Sequence, residues 1–268
     1  MESRFKSIFI YVKITYDMGG KVKKTTIILL MLLAFNVNIK ADNQILVNKQ
    51  EALEKEYKPE KLISPEINSV KYRVVLIDEA IKDDIEKMFE GAKKEGIELV
   101  ILSGYRSYEY QKGLYNRYVK IDGKEKAETY VAIPGHSEHQ TGLAVDLTSE
   151  KELYQLKETF GETEEGMWLA NNAHKYGFIL RYPKGKEEIT GYMYEPWHFR
   201  HIGYEMAKDI YDKKYTFEEH LKYLEEKRLE EERRRNEYKN KYMNSNYVKR
   251  YVFKNTGINI FKSKSKGE

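Results

Sequence analysis

The chain has 268 residues, 41% apolar and 13% aromatic, enough for one ordinary domain with extensions or for two small domains. Its net charge of +4 is too slight to argue for nucleic acid, no nucleic-acid motif accompanies it, and no nucleic-acid partner is expected. With no cysteine, disulfides, thiolate nucleophiles and Cys-ligated zinc are excluded, so any metal must be held by His, Asp or Glu.

Near the N-terminus, Lys21, Lys23 and Lys24 precede the apolar run Ile27–Phe35, and Ile39-Lys40-Ala41 follows as a cleavage site. This is the order of a secretory signal. The run is short for a membrane span and is followed by Asn36 and Asn38, which leaves an uncleaved anchor as the alternative. Met18, directly before Gly19-Gly20-Lys21, is the expected true start. Residues 1–41 therefore read as extension and signal or anchor, and the protein as extracytoplasmic, in the cell wall or at the membrane.

The Lys/Glu-rich residues 42–63 read as a linker or a strand-poor lead-in, and a compact domain is expected over 64–224. Asp78 is placed to cap a helix in which Ala80, Ile81, Ile85, Met88, Phe89 and Ala92 recur at helical spacing up to Gly96. Ile97–Leu102 reads as a buried strand and Ser103-Gly104 as a turn. Ser107 caps a second helix reaching Val119, whose Tyr105, Tyr108, Tyr110, Tyr115 and Tyr118 group is expected to pack it. Leu143, Val145 and Leu147 alternate with Ala144 and Asp146, a strand with Asp146 on the face opposite the leucines. Trp168–Tyr176 reads as a helix, Phe178–Tyr182 and Trp197–Ile202 as strands, and Thr216–Leu224 as a last compact helix. Helices and strands mix without regular alternation, which predicts an α+β fold. Residues 225–268 form a charged tail: a solvated helix over 225–237 and then a basic stretch with interleaved aromatics. The tail reads either as a frayed helix with a disordered end or as a tether to anionic polymers or lipid head groups.

Four of the six histidines fall in two short segments, Pro134–Asp146 and Glu195–His201, each of which also carries carboxylates. A catalytic zinc needs three protein ligands and one open position, and two imidazoles with one carboxylate leave it positive enough to acidify water. His139, Asp146 and His198 can supply that set. Glu195, three residues before His198 and held extended by Pro196, is suited to take the proton.

Ser103-Gly104-Tyr105-Arg106-Ser107, Ser137-Glu138-His139-Gln140-Thr141-Gly142-Leu143-Ala144-Val145-Asp146 and Glu195-Pro196-Trp197-His198 resemble, in order, the three motifs of the VanY-type D-alanyl-D-alanine carboxypeptidases. The resemblance covers roughly residues 64–224. It implies a single domain of the hedgehog/DD-peptidase fold, with a small antiparallel-rich sheet flanked by helices. It also implies zinc on His139, Asp146 and His198, Glu195 as general base, and Arg106 holding the substrate or the developing oxyanion. Ser137 and Gln111 are implied as contacts to the substrate's end group and backbone, while His136 and His201 stay outside the ligand set. The implied reaction is removal of terminal D-alanine from peptidoglycan stem peptides by a D,D-carboxypeptidase, with a monomer expected. An L,D-carboxypeptidase or an endopeptidase on the same site is the alternative, to be decided by loops such as 120–130 and 184–191. Two further readings are a non-catalytic wall-binding module with structural zinc and a membrane-tethered scaffold that works through its tail on anionic wall polymer.

Overall fold

The computed structural model describes residues 45–71 and 73–243. The expected signal or anchor and the basic end of the tail lie outside the described residues. Chain order runs β1 (Leu62–Ile63), β2 (Ile77–Asp78), α1 (Lys82–Lys94), β3 (Val100–Ser103), α2 (Tyr108–Asp122), α3 (Lys124–Ala127) and β4 (Ala144–Thr148). It continues through α4 (Glu164–Asn172), β5 (Phe178–Leu180), α5 (Glu187–Thr190), β6 (His198–His201), α6 (Tyr204–Lys213) and α7 (Phe217–Tyr238). The architecture is the expected α+β: β1 and β2 form an antiparallel pair, and the main sheet is antiparallel in the order β3-β4-β6-β5.

Local chemistry sets several of these boundaries. Asp78 accepts a hydrogen bond from the Ala80 amide and caps the 3-10 turn Glu79–Ile81 that leads into α1. Ser107 accepts from Tyr110 at the start of α2, and Thr163 from Gly166 at the start of α4. Thr216 and Glu219 form a reciprocal capping box at the head of α7. Trp168–Tyr176, expected as one helix, is α4 followed by the 3-10 turn Ala173–Tyr176, ended by the left-handed Gly177.

The core lies on one face of the sheet. Ile85, Met88, Phe89 and Ala92 of α1, with Trp168 and Leu169 of α4, cover Ile101, Val145, Leu147, Phe178 and Phe199. Each large apolar side chain so buried contributes about 1.5–3 kcal/mol. An exposed ion pair such as Lys61–Glu79 contributes at most about 1 kcal/mol, so packing dominates stability. A smaller cluster joins Ile179 and Ile202 to Ala207, Ile210 and Phe217.

Three expectations change. Residues 45–63 are laid against the domain instead of forming a free linker. Leu53 donates to the Gly135 carbonyl, Gln140 donates to the carbonyls of Glu54 and Tyr57, and Arg200 donates to that of Ile45. Buried side-chain donors need acceptors, and this segment's backbone supplies them. The compact helix expected over 216–224 and the solvated helix expected over 225–237 are one continuous α7 reaching Tyr238, with exposed i,i+3 and i,i+4 pairs such as Arg228–Glu225 and Arg234–Glu230. The α2 tyrosines do not form a buried packing face, since only Gln111 of α2 is buried, and Tyr110 stands in solvent.

Gly142 joins the 3-10 turn Glu138–Thr141 to β4 with φ +70, and a Cβ there would sit 2.9 Å from both the Asp78 amide nitrogen and Pro59 Cγ. Gly142→Ala is therefore expected to cost on the order of 2 kcal/mol, from the left-handed backbone and the crowding together. The check is the urea unfolding midpoint, and an unchanged midpoint would contradict this reading.

Candidate active site

Register places two of the expected ligands. Asp146 of β4 stands directly opposite His198 of β6, and Ser103 of β3 faces Asp146 from the other side across an irregularity in the register. Directly opposed residues share a face, so Asp146 and His198 project together, while Val145 and Phe199 point into the core. Both faces of β4 are buried: apolar side chains cover one, and a polar site occupies the other.

His139 arrives on the 3-10 turn. Its Nδ1–H donates to the Gly104 carbonyl at 2.7 Å, and the Arg106 amide donates to the His139 carbonyl at 3.0 Å. These two bonds stitch the Ser103–Ser107 turn to the histidine. Gly104 also lets the turn pack on the strand before it, because a Cβ there would lie 2.2 Å from the Leu76 carbonyl oxygen. Glu195 and His198 are the first and last residues of a tight turn closed by the His198 amide on the Glu195 carbonyl, with Pro196 second. The turn, more than extension alone, brings the Glu195 carboxylate to 3.7 Å from His198 Nδ1.

His139, Asp146 and His198 are buried, and one ligand atom from each lies within 4.8 Å of the others. His139 Nε2 and His198 Nδ1 each stand 3.3 Å from Asp146 Oδ1. Yet His139 Nε2 and Asp146 Oδ1 have no hydrogen-bond partner. Because Nδ1 carries the proton given to Gly104, His139 Nε2 presents a lone pair to a carboxylate oxygen. Two acceptors face each other in a buried site, an arrangement that a cation between them would resolve. The donor set, two imidazoles and one carboxylate, is that of an open metal site.

The electrostatics follow from burial and neighbours. Burial and the Arg106 charge lower His139 to about 4, against the pull of Asp146. For His198, burial opposes protonation, but contacts with Asp146 and Glu138 prevail and raise it to about 9. The two histidines move oppositely because one meets a carbonyl and a guanidinium where the other meets two carboxylates. Asp146 is held well below the usual carboxylate range: burial pushes it up, and His139, His198 and Arg106 outweigh that. Burial raises Glu195 to about 8, helped by Asp146 and opposed by His198 and Arg106.

The other expected residues divide. Arg106 Nη1 is 4.0 Å from Asp146 Oδ2, and its Nε is buried without a partner. Ser137 is buried immediately before the 3-10 turn. Gln111 is anchored through Nε2 to the Ala132 carbonyl and leaves Oε1 without a partner. His136 hydrogen-bonds the Asn48 carbonyl, and His201 pairs with Asp84, so neither joins the ligand set.

Sequence reasoning passed over Glu138, Arg181, Arg200 and the tyrosines Tyr182 and Tyr192. Glu138 adjoins His139 and could have been noticed by its position, but the arginines carry no motif. Tyr182 packs against His198 and Tyr192, each pair with ring centroids 4.9 Å apart. The loops 120–130 and 184–191 carry the short helices α3 and α5.

An antiparallel sheet and an adjoining turn that together bring His, Asp and His into one buried set, with a glutamate outside that set beside it, are the arrangement of a metallopeptidase. Residues 75–204 match the VanY family model, described as D-alanyl-D-alanine carboxypeptidase. The Bacillus subtilis (strain 168) protein YodJ is 48% identical over 179 residues, 66% of this chain and 66% of YodJ. VanXYC of Enterococcus gallinarum, a bifunctional D-Ala-D-Ala dipeptidase and carboxypeptidase, is 33% identical over 184 residues, 67% of this chain and 93% of that protein. Among solved structures, the LdcB LD-carboxypeptidase superposes with a TM-score of 0.65 at 46% identity, covering 68% of this chain and 86% of that one. The vancomycin-resistance D,D-pentapeptidase VanY, solved with Zn(II), gives a TM-score of 0.58 at 35% identity, covering 67% of this chain and 99% of that one. The chain spans between 46% and 66% of the length of three of the curated relatives it matches. It belongs to the VanY-type D-alanyl-D-alanine carboxypeptidase family.

A metal held by this set stabilises the folded state alone. Adding a chelator to metal-loaded protein is expected to lower the melting temperature, and restoring Zn(II) to recover it. The stabilisation at a thousandfold excess over Kd corresponds to about 4 kcal/mol. His139→Ala should abolish the chelator-sensitive part, and a melting temperature blind to chelator would remove the metal site.

Proposed function

We propose that the chain is a zinc carboxypeptidase that hydrolyses the terminal D-alanine from peptidoglycan stem peptides as a D,D-carboxypeptidase. The observation that carries this reading is the pair of buried acceptors, His139 Nε2 and Asp146 Oδ1, facing each other 3.3 Å apart without a hydrogen bond. Zinc held by His139, Asp146 and His198 would supply Lewis acidity that acidifies water and polarises the scissile carbonyl.

The chain's own residues do the rest. Glu195, whose ionised form a cation in the neighbouring set would favour, takes a proton from the attacking water and passes it to the leaving amine of D-alanine, a role supported by its place 3.7 Å from His198 and outside the ligand set. Arg106 keeps Nε free of protein partners and directs a planar set of donors at an oxygen gaining negative charge. Ser137 and the free Oε1 of Gln111 are assigned to the substrate's end group and backbone, which their burial favours. The substrate class lies outside the cytoplasmic membrane, and this supports export directed by the residues before 42.

Glu195→Gln is expected to leave folding and zinc content intact and to lower kcat by at least about a thousandfold, toward the upper end of general acid-base contributions. Retention of wild-type turnover would reassign the base.

A second reading, L,D-carboxypeptidase activity, is favoured by the LdcB neighbour, whose identity of 46% and TM-score of 0.65 exceed the 35% and 0.58 of the D,D-pentapeptidase. Incubating the full chain with synthetic tetra- and pentapeptides and weighing the products by mass spectrometry separates the two. Loss of D-alanine from the pentapeptide alone is the expected outcome, and cleavage of the tetrapeptide alone would replace it with the L,D reading.

A further inference from the structure

Beside the metal set lies a buried ionic relay that the proposed reaction does not use. Glu138 Oε1 accepts from Arg181 Nε at 2.8 Å and from Arg200 Nη1 at 2.9 Å, and all three side chains are wholly buried. Arg181 Nη1 and Nη2 donate to Glu218 in the first turn of α7, at 2.9 and 2.6 Å. The other carboxylate oxygen, Glu138 Oε2, faces His198 Nε2 at 3.3 Å. Glu138 accepts from both guanidiniums, and as an acceptor toward His198 too it takes the Nε2 proton. When His198 gives up its other proton to bind a metal, the lone pair is on Nδ1, the nitrogen turned toward Asp146.

His139 is fixed in the mirror sense, its Nδ1 donating to a carbonyl and its Nε2 facing the centre. The two imidazoles thus present different nitrogens to one point, each locked through the other nitrogen. A backbone carbonyl fixes the first. The second depends on a side chain that must itself be immobile, and Arg181 and Arg200 make it so.

Building on the zinc reading, we infer that Glu138 is a positioning residue: held by Arg181 and Arg200, it sets the tautomer and ring orientation of His198 so that Nδ1 faces the metal. Partners of this kind typically alter metal affinity by 10–100-fold. The relay also ties the site to α7 through Glu218, so the head of the long charged helix supports the ligand set.

The test uses the full chain loaded with Zn(II). Glu138→Gln is expected to weaken zinc binding 10–100-fold, measured by competition with a chelating dye. Glu218→Gln disturbs the same buried network but leaves the His198 contact, and should bind zinc almost as wild type does. An equal loss in both variants would make Glu138 merely structural, and an unchanged affinity in Glu138→Gln would also overturn the inference. Glu138→Gln leaves buried arginines undercompensated, so it risks misfolding. The imidazole nitrogen shifts of 15N-histidine-labelled wild type decide without it: His198 should carry its proton on Nε2 and the metal on Nδ1, and the reverse assignment overturns the inference. Wild type that takes up no zinc would instead sink the peptidase reading on which this rests.

Discussion

The pairing of Asp146 with His198 across β4 and β6 is the constraint on which the rest of the site depends. Backbone hydrogen bonds between two antiparallel strands, not a search by flexible side chains, bring a carboxylate and an imidazole together. A slip of one residue would turn Val145 into the site and Asp146 into the core, so the apolar face that packs under α1 also enforces the polar geometry above it. The third ligand candidate does not come from the sheet, and its turn is pinned by exchange of hydrogen bonds with the Gly104–Arg106 backbone.

Burying so many charges is costly, and the structure answers with near-complete pairing. Glu138 and Glu218 offset Arg181 and Arg200, and the Ile45 carbonyl takes a further Arg200 donor. Against this background the unpartnered atoms are informative. His139 Nε2, Asp146 Oδ1 and Arg106 Nε are orphaned, and they belong to residues that face one another. Other buried atoms among the described residues also lack a partner, such as Ser149 Oγ and Trp168 Nε1, but these three stand out because they converge on one point with two acceptors face to face.

The surroundings of that point are built from later and less regular chain. Tyr182 and Tyr192 wall the His198 side, the Glu195 amide is held by the Tyr182 carbonyl, and the Met193 amide reaches the Thr129 carbonyl. The 120–130 loop is thus tied by a backbone hydrogen bond to the stretch that leads from the 184–191 loop to Glu195. Differences among relatives that take D,D- or L,D-peptides are more naturally housed there than in the metal set, whose residues chemistry constrains.

Much of this was legible in the sequence. The alternation from Leu143 to Leu147, the periodicity from Ala80 to Ala92 and the caps Asp78 and Ser107 are local signals, and each produced its element within a few residues. The α6 helix was missed, and the polar segment 45–63 hid its role because hydrogen bonds to backbone carbonyls leave no trace in residue type. The grouping of His139, Asp146 and His198, with Glu195 near them, was legible because metal chemistry restricts which residue types can bind and motif spacing records that restriction. What only the tertiary structure decided is which nitrogen each histidine presents, how Glu138 came to face His198, and which arginines hold it. Arg181 and Arg200 meet Glu138, and Glu218 meets Arg181, from distant stretches through packing, and a relation between residues far apart in the chain has no period or spacing by which a sequence could announce it.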